Sequence, residues 1–108
     1  MPAPRPEPLA YVAGVYRGPI EVSAGSEVPA IVTLTVKDGV ITGTYSYGLT
    51  RGRFSECELA GTGLTCKWRE EKAAGGFDVV FTHDFGSFEG EWDFESGQYG
   101  GTWTGSKS

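Results

Sequence analysis

Apolar and polar side chains alternate along most of this chain, and the alternation can be tested by pairing segments around their turns. Asp38 and Gly39 form a dipeptide that favours a two-residue hairpin turn. With the turn there, Val36 lies opposite Ile41, and threonines pair on the other face. Because one register sorts both faces into an apolar and a hydroxyl set, the pattern predicts an antiparallel hairpin with one buried face.

A second hairpin is predicted around Ser96 and Gly97, where aromatic residues fall opposite glycines. The predicted pairs are Phe94 with Tyr99, Trp92 with Gly101, Gly90 with Trp103, and Phe88 with Gly105. A ring that lies over bare glycine backbone fits a curved, closely packed sheet. The opposite face, which we call the acidic face and expect to be exposed, consists of Glu89, Glu91, Asp93 and Glu95.

The two cysteines occupy matching positions in a third predicted hairpin. Pairing residues 53–59 with 64–70 places Cys57 opposite Cys66 at a non-hydrogen-bonded site, where a cross-strand disulfide is geometrically reasonable. Glu56 and Lys67 pair on the outer face. A disulfide would imply a periplasmic, secreted or cell-surface location, whereas two reduced core cysteines would suit the cytosol. Without further clustered Cys or His, two thiolates cannot complete a zinc site, so no metal is expected.

The remaining segments complete an all-β chain of about eight strands. Residues 77–83 form a strand that reaches 87–95 through a short turn, residues 11–17 supply the first strand, and residues 98–105 supply the last. Residues 18–29 are the longest candidate loop. Sequential strands of this length predict a closed antiparallel up-and-down β-barrel, which removes exposed sheet edges. An open twisted sheet and a two-sheet sandwich are the alternatives.

Composition restricts the class of protein further. The 108 residues include 17 Gly, 3 Trp, 5 Tyr and 6 Phe, which favours short strands and one domain over residues 9–108. Residues 1–8 form a proline-rich tail or linker, read either as a spacer after a signal peptide or lipid anchor or as an ordinary N-terminus. The net charge is −5 and the basic residues are scattered, so nucleic acid is not an expected partner. No apolar run is long enough for a membrane-spanning helix.

Two groups of side chains are candidate binding sites. The acidic face is not expected to bind calcium, because residues about 6.7 Å apart along a strand cannot converge on one ion. It is either a solvated strand face or a surface for a basic partner. The inward aromatics either fill the core or line an apolar cup for a ligand. They are Tyr45, Tyr47, Trp68, Phe77, Phe81, Trp92, Phe94, Tyr99 and Trp103. For the cup, the predicted ligand-binding residues are Tyr45, Tyr47, Trp68, Trp92 and Trp103.

Catalysis is not expected. His83, the only histidine, stands beside Asp84, and such a pair can orient an imidazole for general-base work. The chain has no nucleophile-elbow motif, and Cys57 and Cys66 are better explained by each other. We therefore predict a protein that is not an enzyme and has no cofactor.

Two short segments are similar to known families. Residues 31–47, IVTLTVKDGVITGTYSY, resemble the second and third strands of avidin-like proteins. That resemblance implies an eight-stranded barrel, oligomerisation and a pocket for a biotin-like ligand, with Tyr45 as the counterpart of a binding residue. Residues 86–105, GSFEGEWDFESGQYGGTWTG, resemble a MORN-type glycine–aromatic hairpin, which implies contacts with proteins or lipid surfaces.

Together these features predict a non-catalytic secreted or envelope β-domain. The first expectation is a protein-interaction or assembly subunit that binds a protein partner, or further copies of itself, through its strand faces and long first loop. The alternative is a barrel that carries a small apolar or aromatic ligand.

Overall fold

Eight antiparallel strands form a closed barrel. The computed structural model describes residues 11–23 and 25–107. The strands are β1 (Gly14–Ser23), β2 (Ser26–Lys37), β3 (Val40–Tyr47), β4 (Thr50–Ala60), β5 (Gly63–Arg69), β6 (Ala74–Phe81), β7 (Ser87–Phe94) and β8 (Tyr99–Lys107). Each strand pairs with the next, and β8 returns to pair with β1. The predicted barrel is therefore confirmed over the open sheet and the sandwich, while the proline-rich tail lies outside the described residues.

The β2–β3 hairpin has the predicted register. Val36 pairs with Ile41 and Thr35 with Thr42. Asp38 and Gly39 have φ values of 53° and 77°, the left-handed conformation that a tight hairpin turn with the right twist requires. The hydroxyl oxygens of Thr35 and Thr42 lie 3.0 Å apart on the outer face.

The prediction of a long loop over residues 18–29 was wrong. β1 continues to Ser23, and β2 begins at Ser26 with Pro19 directly opposite Pro29. Proline is tolerated in a strand where its missing N–H is not needed for pairing. The β1–β8 register passes from Arg17 to Ile20 and skips this proline. The predicted start of the first strand was also too early, because residues 11 and 12 are helical.

A bulge in β8 displaces Tyr99 from its predicted place. Three predicted pairs are present: Phe88 with Gly105, Gly90 with Trp103, and Trp92 with Gly101. The register then shifts, so Tyr99 pairs with Asp93 and not with Phe94, and it is 56% exposed. A Cβ at Gly100 would collide with the ring of Trp92, so this bulge glycine leaves room for the indole.

The cysteine hairpin contains a bulge as well as the predicted cross-link. The Sγ atoms of Cys57 and Cys66 are 2.11 Å apart, which is the distance of a disulfide. The register shifts between Ser55 and Glu58, because Glu56 at φ 50° adds a residue to β4. Glu56 still forms a salt bridge with Lys67, with 3.3 Å between Oε2 and Nζ.

The barrel interior is filled from its middle to one end. Phe54, Phe77 and Trp103 form the middle layer, with ring centroids of Phe54 and Phe77 4.5 Å apart. We call the filled end, where the β6–β7 turn lies, the closed end. Its buried side chains are Val12, Tyr16, Phe81, Phe85 and Phe88. The predicted list of inward aromatics did not include Tyr16, Phe54, Phe85 and Phe88, and all four are buried.

Candidate functional site

At the other end of the barrel, the side chains leave a cavity of about 150 Å³. We call this cavity and its walls the cup. Aromatic side chains near the ends of β3, β5 and β7 form most of the wall, together with one carboxylate: they are Tyr45, Tyr47, Trp68, Trp92, Phe94 and Glu70. Ile20, Val22 and Ala73 add aliphatic surface, and Trp103 of the middle layer also lines the cavity.

The rings of the cup contact one another at defined angles. Tyr45 and Tyr47 stack with 6.2 Å between centroids and 5° between planes. Trp68 and Trp92 meet edge to face at 5.8 Å and 79°. Edge-to-face and offset contacts are the favoured geometries of aromatic pairs, so they help to fix these rings even beside an unfilled space.

Glycines on neighbouring strands provide the space in which the rings lie. Gly52 of β4 pairs with Tyr45, and a Cβ at Gly52 would collide with the phenol ring. A Cβ at Gly75 would lie 2.8 Å from Cε2 of Trp68. The glycine–aromatic alternation of the sequence therefore sets the positions of the cup's aromatic walls.

Both indoles at the mouth use their N–H groups for backbone hydrogen bonds. Nε1 of Trp68 donates to the carbonyl oxygen of Asp93 at 3.0 Å. Nε1 of Trp92 donates to the carbonyl oxygen of Glu21 at 3.0 Å. These bonds join β5 to β7 and β7 to β1, so each indole is tied to the strand beyond its immediate neighbour in the barrel.

Glu70 places a carboxylate in the aromatic wall. Its Oε2 accepts a hydrogen bond from the Tyr45 hydroxyl at 2.6 Å and a longer one from the Tyr47 hydroxyl at 3.3 Å. Burial, and then the neighbouring Glu70 carboxylate, raise the pKa of both tyrosines. Both phenols therefore stay neutral hydrogen-bond donors at physiological pH.

All five residues predicted for a ligand cup line this one cavity: Tyr45, Tyr47, Trp68, Trp92 and Trp103. Glu70 was missed, and so was Phe94 as a cup residue, although Phe94 was among the predicted inward aromatics. A signal for Glu70 was present, because Leu64, Cys66 and Trp68 alternate inward along β5 and the next position in that period is 70.

The acidic face lies on the outer wall of β7 and continues to Glu95, just beyond the end of that strand. Its members are all exposed: Glu89, Glu91, Asp93 and Glu95. Asp78 of β6 pairs with Glu91 and adds a further acid. On the neighbouring outer wall, Arg53 of β4 pairs directly with Arg69 of β5, so an acidic pair on β6 and β7 and a basic pair on β4 and β5 lie on different strands.

His83 and Asp84 lie exposed in the β6–β7 turn. Oδ1 of Asp84 accepts hydrogen bonds from the Gly86 N–H at 2.9 Å and from the Thr82 hydroxyl at 2.8 Å. These bonds lower the pKa of Asp84. The aspartate has a clear structural role here, because it holds the turn that carries Phe85.

Residues 11–23 and 25–107 contain no group of three His, Cys, Asp or Glu side chains placed to hold a metal ion. No helix among them is both long and apolar enough to cross a membrane.

Comparison with known proteins identified no relative of this chain. No protein-family model matches the chain, and no curated protein or solved structure matches it either. The similarities of residues 31–47 and 86–105 to known families stay resemblances of short segments. The fold and the cup together define an eight-stranded antiparallel barrel with one filled end and one open aromatic end.

Proposed function

We propose that this protein is a non-catalytic binding domain that takes a small apolar or aromatic group into the cup. The observation that carries the proposal is an aromatic cavity at one end of a barrel that is otherwise filled. Concave sites with aromatic walls and a few convergent polar groups are the usual form of small-molecule sites.

The volume of the cup limits the size of the ligand. Typical ligand pockets measure about 300–1,000 Å³, whereas an apolar cavity of about 150 Å³ is enough for benzene. At about 150 Å³, the cup has room for one ring or one branched alkyl group. A larger molecule would place only one end in the barrel.

Tryptophan fluorescence provides a direct test, because all three tryptophans of the chain line the cup. We expect phenol and other benzene-sized probes to shift or quench the emission and to release heat in calorimetry. Ala73→Leu should abolish both signals, since Ala73 lines the cavity and a larger side chain would fill it. Ala60→Leu is the matched control, because Ala60 is exposed beside the β4–β5 turn.

Two results would contradict the proposal. One is the absence of binding by every benzene-sized probe, and the other is unchanged binding in the Ala73→Leu protein. Because Glu70 N–H donates to the Ala73 carbonyl at 2.8 Å, the backbone of this loop has its own support in the variant. Circular dichroism of each variant establishes that the barrel is intact.

A second candidate function is assembly with further copies of the chain, which is one form of the protein-interaction or assembly subunit first expected from the sequence. Two like-charged pairs on the outer wall favour it, since Glu91 and Asp78 of one copy complement Arg53 and Arg69 of another. We expect sedimentation to detect assembly at low salt and dissociation at high salt. Arg53→Glu should weaken assembly, and a monomer at every salt concentration would contradict it.

The disulfide also indicates the kind of cellular compartment in which the protein works. Disulfides persist in oxidising compartments, so we propose that the protein works in a periplasm, outside the cell or on the cell surface. Labelling of free thiols in protein taken from its source tests this proposal: Cys57 and Cys66 should resist alkylation until a reductant is added.

A further inference from the structure

We infer that the ligand of the cup is a small organic cation, namely an ammonium group that carries apolar substituents. This inference rests on the proposed function and names the chemical class of the ligand. Three features of the cup support it: a carboxylate with no salt-bridge partner, aromatic ring faces, and four side-chain hydrogen-bond donors that are already in use.

Glu70 is the one charged residue among those that line the cup. It is partly buried, and the single salt bridge in the described part of the chain joins Lys67 to Glu56 instead. A carboxylate withdrawn from water without a cation is destabilising unless hydrogen bonds or a partner compensate it. The two phenol hydroxyls compensate Glu70 in part, and a cationic ligand would supply the missing positive charge.

The aromatic walls favour the same sign of charge. The face of an aromatic ring carries the negative part of its quadrupole, so it attracts a cation within about 6 Å of its centroid. Tyr45 and Tyr47 present parallel rings, while Trp68 and Trp92 stand nearly perpendicular to each other. Rings in several orientations around a small space are the arrangement that recognises substituted ammonium groups.

An anionic ligand would find few donors in this site. The Tyr45 and Tyr47 hydroxyls donate to Glu70, and the Trp68 and Trp92 N–H groups donate to backbone carbonyls. Four side-chain donors of the cup are therefore engaged, and the carboxylate would repel an anion. A cation with apolar substituents needs no donor from the protein.

The surrounding charges are compatible with a cationic ligand. Arg51, Arg53 and Arg69 are exposed on β4 and β5, where solvent and salt screen them. The net charge of −5 favours the approach of cations. A calcium ion is a poor alternative, since it needs six to eight oxygen ligands and this cup contains one carboxylate.

The test compares three probes of nearly the same shape. Choline carries a trimethylammonium group, 3,3-dimethylbutan-1-ol has carbon in place of the nitrogen, and 3,3-dimethylbutanoate carries a negative charge. Each is titrated into the full chain at fixed ionic strength, with calorimetry and tryptophan emission as readouts. We expect choline to bind at least about tenfold more tightly than the alcohol, and the butanoate to give no signal.

Glu70→Gln tests the source of the preference. The amide oxygen can still accept from the phenols, so we expect the cup to persist while choline affinity falls about tenfold. Affinity for the neutral alcohol should stay unchanged. Glu71→Gln is the matched control, because it removes the same charge from the next residue, which is exposed and does not line the cup.

The outcomes separate this inference from the proposed function. If the alcohol binds as tightly as choline, or if Glu70→Gln behaves like Glu71→Gln, the cup does not select cations and the inference is wrong. Binding of benzene-sized neutral probes without any binding of choline would also reject the inference, while the proposed function would stand. If no probe of either kind binds, both are wrong.

Discussion

The two ends of the barrel are lined by similar aromatic side chains, yet one end is filled and the other is open. At the closed end, Tyr16 contacts Phe81 and Phe88 edge to face, with 5.5 Å between centroids in each pair. Its hydroxyl donates to the Val12 carbonyl at 2.8 Å. At the cup, the hydroxyls of Tyr45 and Tyr47 instead donate to the carboxylate of Glu70.

The loops explain why the two ends differ. The β6–β7 turn inserts Phe85, whose φ of 59° turns the chain so that the ring contacts Phe81 at 5.2 Å. In the β5–β6 loop, Glu71 and Lys72 are exposed, and a carboxylate rather than a ring faces inward. Phe85 of the β6–β7 turn and Val12 ahead of β1 therefore fill an end whose counterpart is left as a cavity.

The largest expected effect comes from removing the inserted ring. Phe85→Ala should lower the free energy of unfolding by about 3 kcal/mol, because it empties a buried position at the closed end. Phe94→Ala, the corresponding truncation at the partly exposed cup, should cost only about 1 kcal/mol. Urea denaturation followed by circular dichroism measures both, and equal losses at the two ends would contradict the comparison.

Removal of the disulfide should have the next largest effect and should leave the cup unchanged. Loss of the Cys57–Cys66 bond, which closes a loop with a sequence separation of 9, should lower stability by about 2 kcal/mol. Neither cysteine lines the cup, so probe affinity should not change. Denaturation and probe titration with and without reductant measure both quantities. A parallel loss of affinity would show that the cup depends on this cross-link.

The smallest effect is a loss of stability in alkaline solution that involves tyrosines at both ends. Burial raises the pKa of Tyr16 to about 12 from the ordinary value of 10.0, so the folded state holds the proton more tightly than the unfolded state. This contribution is fully present below pH 10 and is lost as the pH rises from 10 to 12. Two pKa units set an upper limit of about 2.7 kcal/mol, and screening by solvent should reduce the contribution to about 1 kcal/mol.

Single substitutions measure how much of this alkaline loss of stability comes from each end of the barrel. Tyr16→Phe should flatten the fall in unfolding free energy between pH 10 and 12 by removing the contribution of the closed end. Tyr45→Phe should remove a contribution of the cup, where burial and Glu70 both raise the tyrosine pKa. Urea denaturation at a series of pH values provides the measurement. An unchanged slope in the Tyr16→Phe protein would contradict the expected role of that hydroxyl.

The registers of the hairpins were predictable because residues close along the chain determine them. The Asp38–Gly39 turn specifies the pairing of Val36 with Ile41, and the position of Cys66 across the hairpin specifies the disulfide. The bulges at Glu56 and Gly100 were not predictable in the same way, since an extra residue is accommodated by contacts from other strands. The collision that Trp92 would make with a Cβ at Gly100 is one such contact.

Part of the cup was predictable from the sequence. Its aromatic residues follow from the period of two along β3, β5 and β7, and Glu70 follows from the same period continued one step beyond β5. Whether inward rings fill a barrel or line a cavity depends on volumes that are summed over all strands and loops. The pattern of a single hairpin therefore does not predict whether the barrel contains a cavity.

The sequence by itself determined the eight-stranded meander, most of the inward and outward faces and the cysteine pair, because turn chemistry and side-chain alternation act between residues close along the chain. Tertiary structure alone decided that β1 closes on β8, that Phe85 plugs one end, and that Glu70 joins Tyr45 and Tyr47 in the other. These features depend on contacts between distant segments, which form only when the barrel closes.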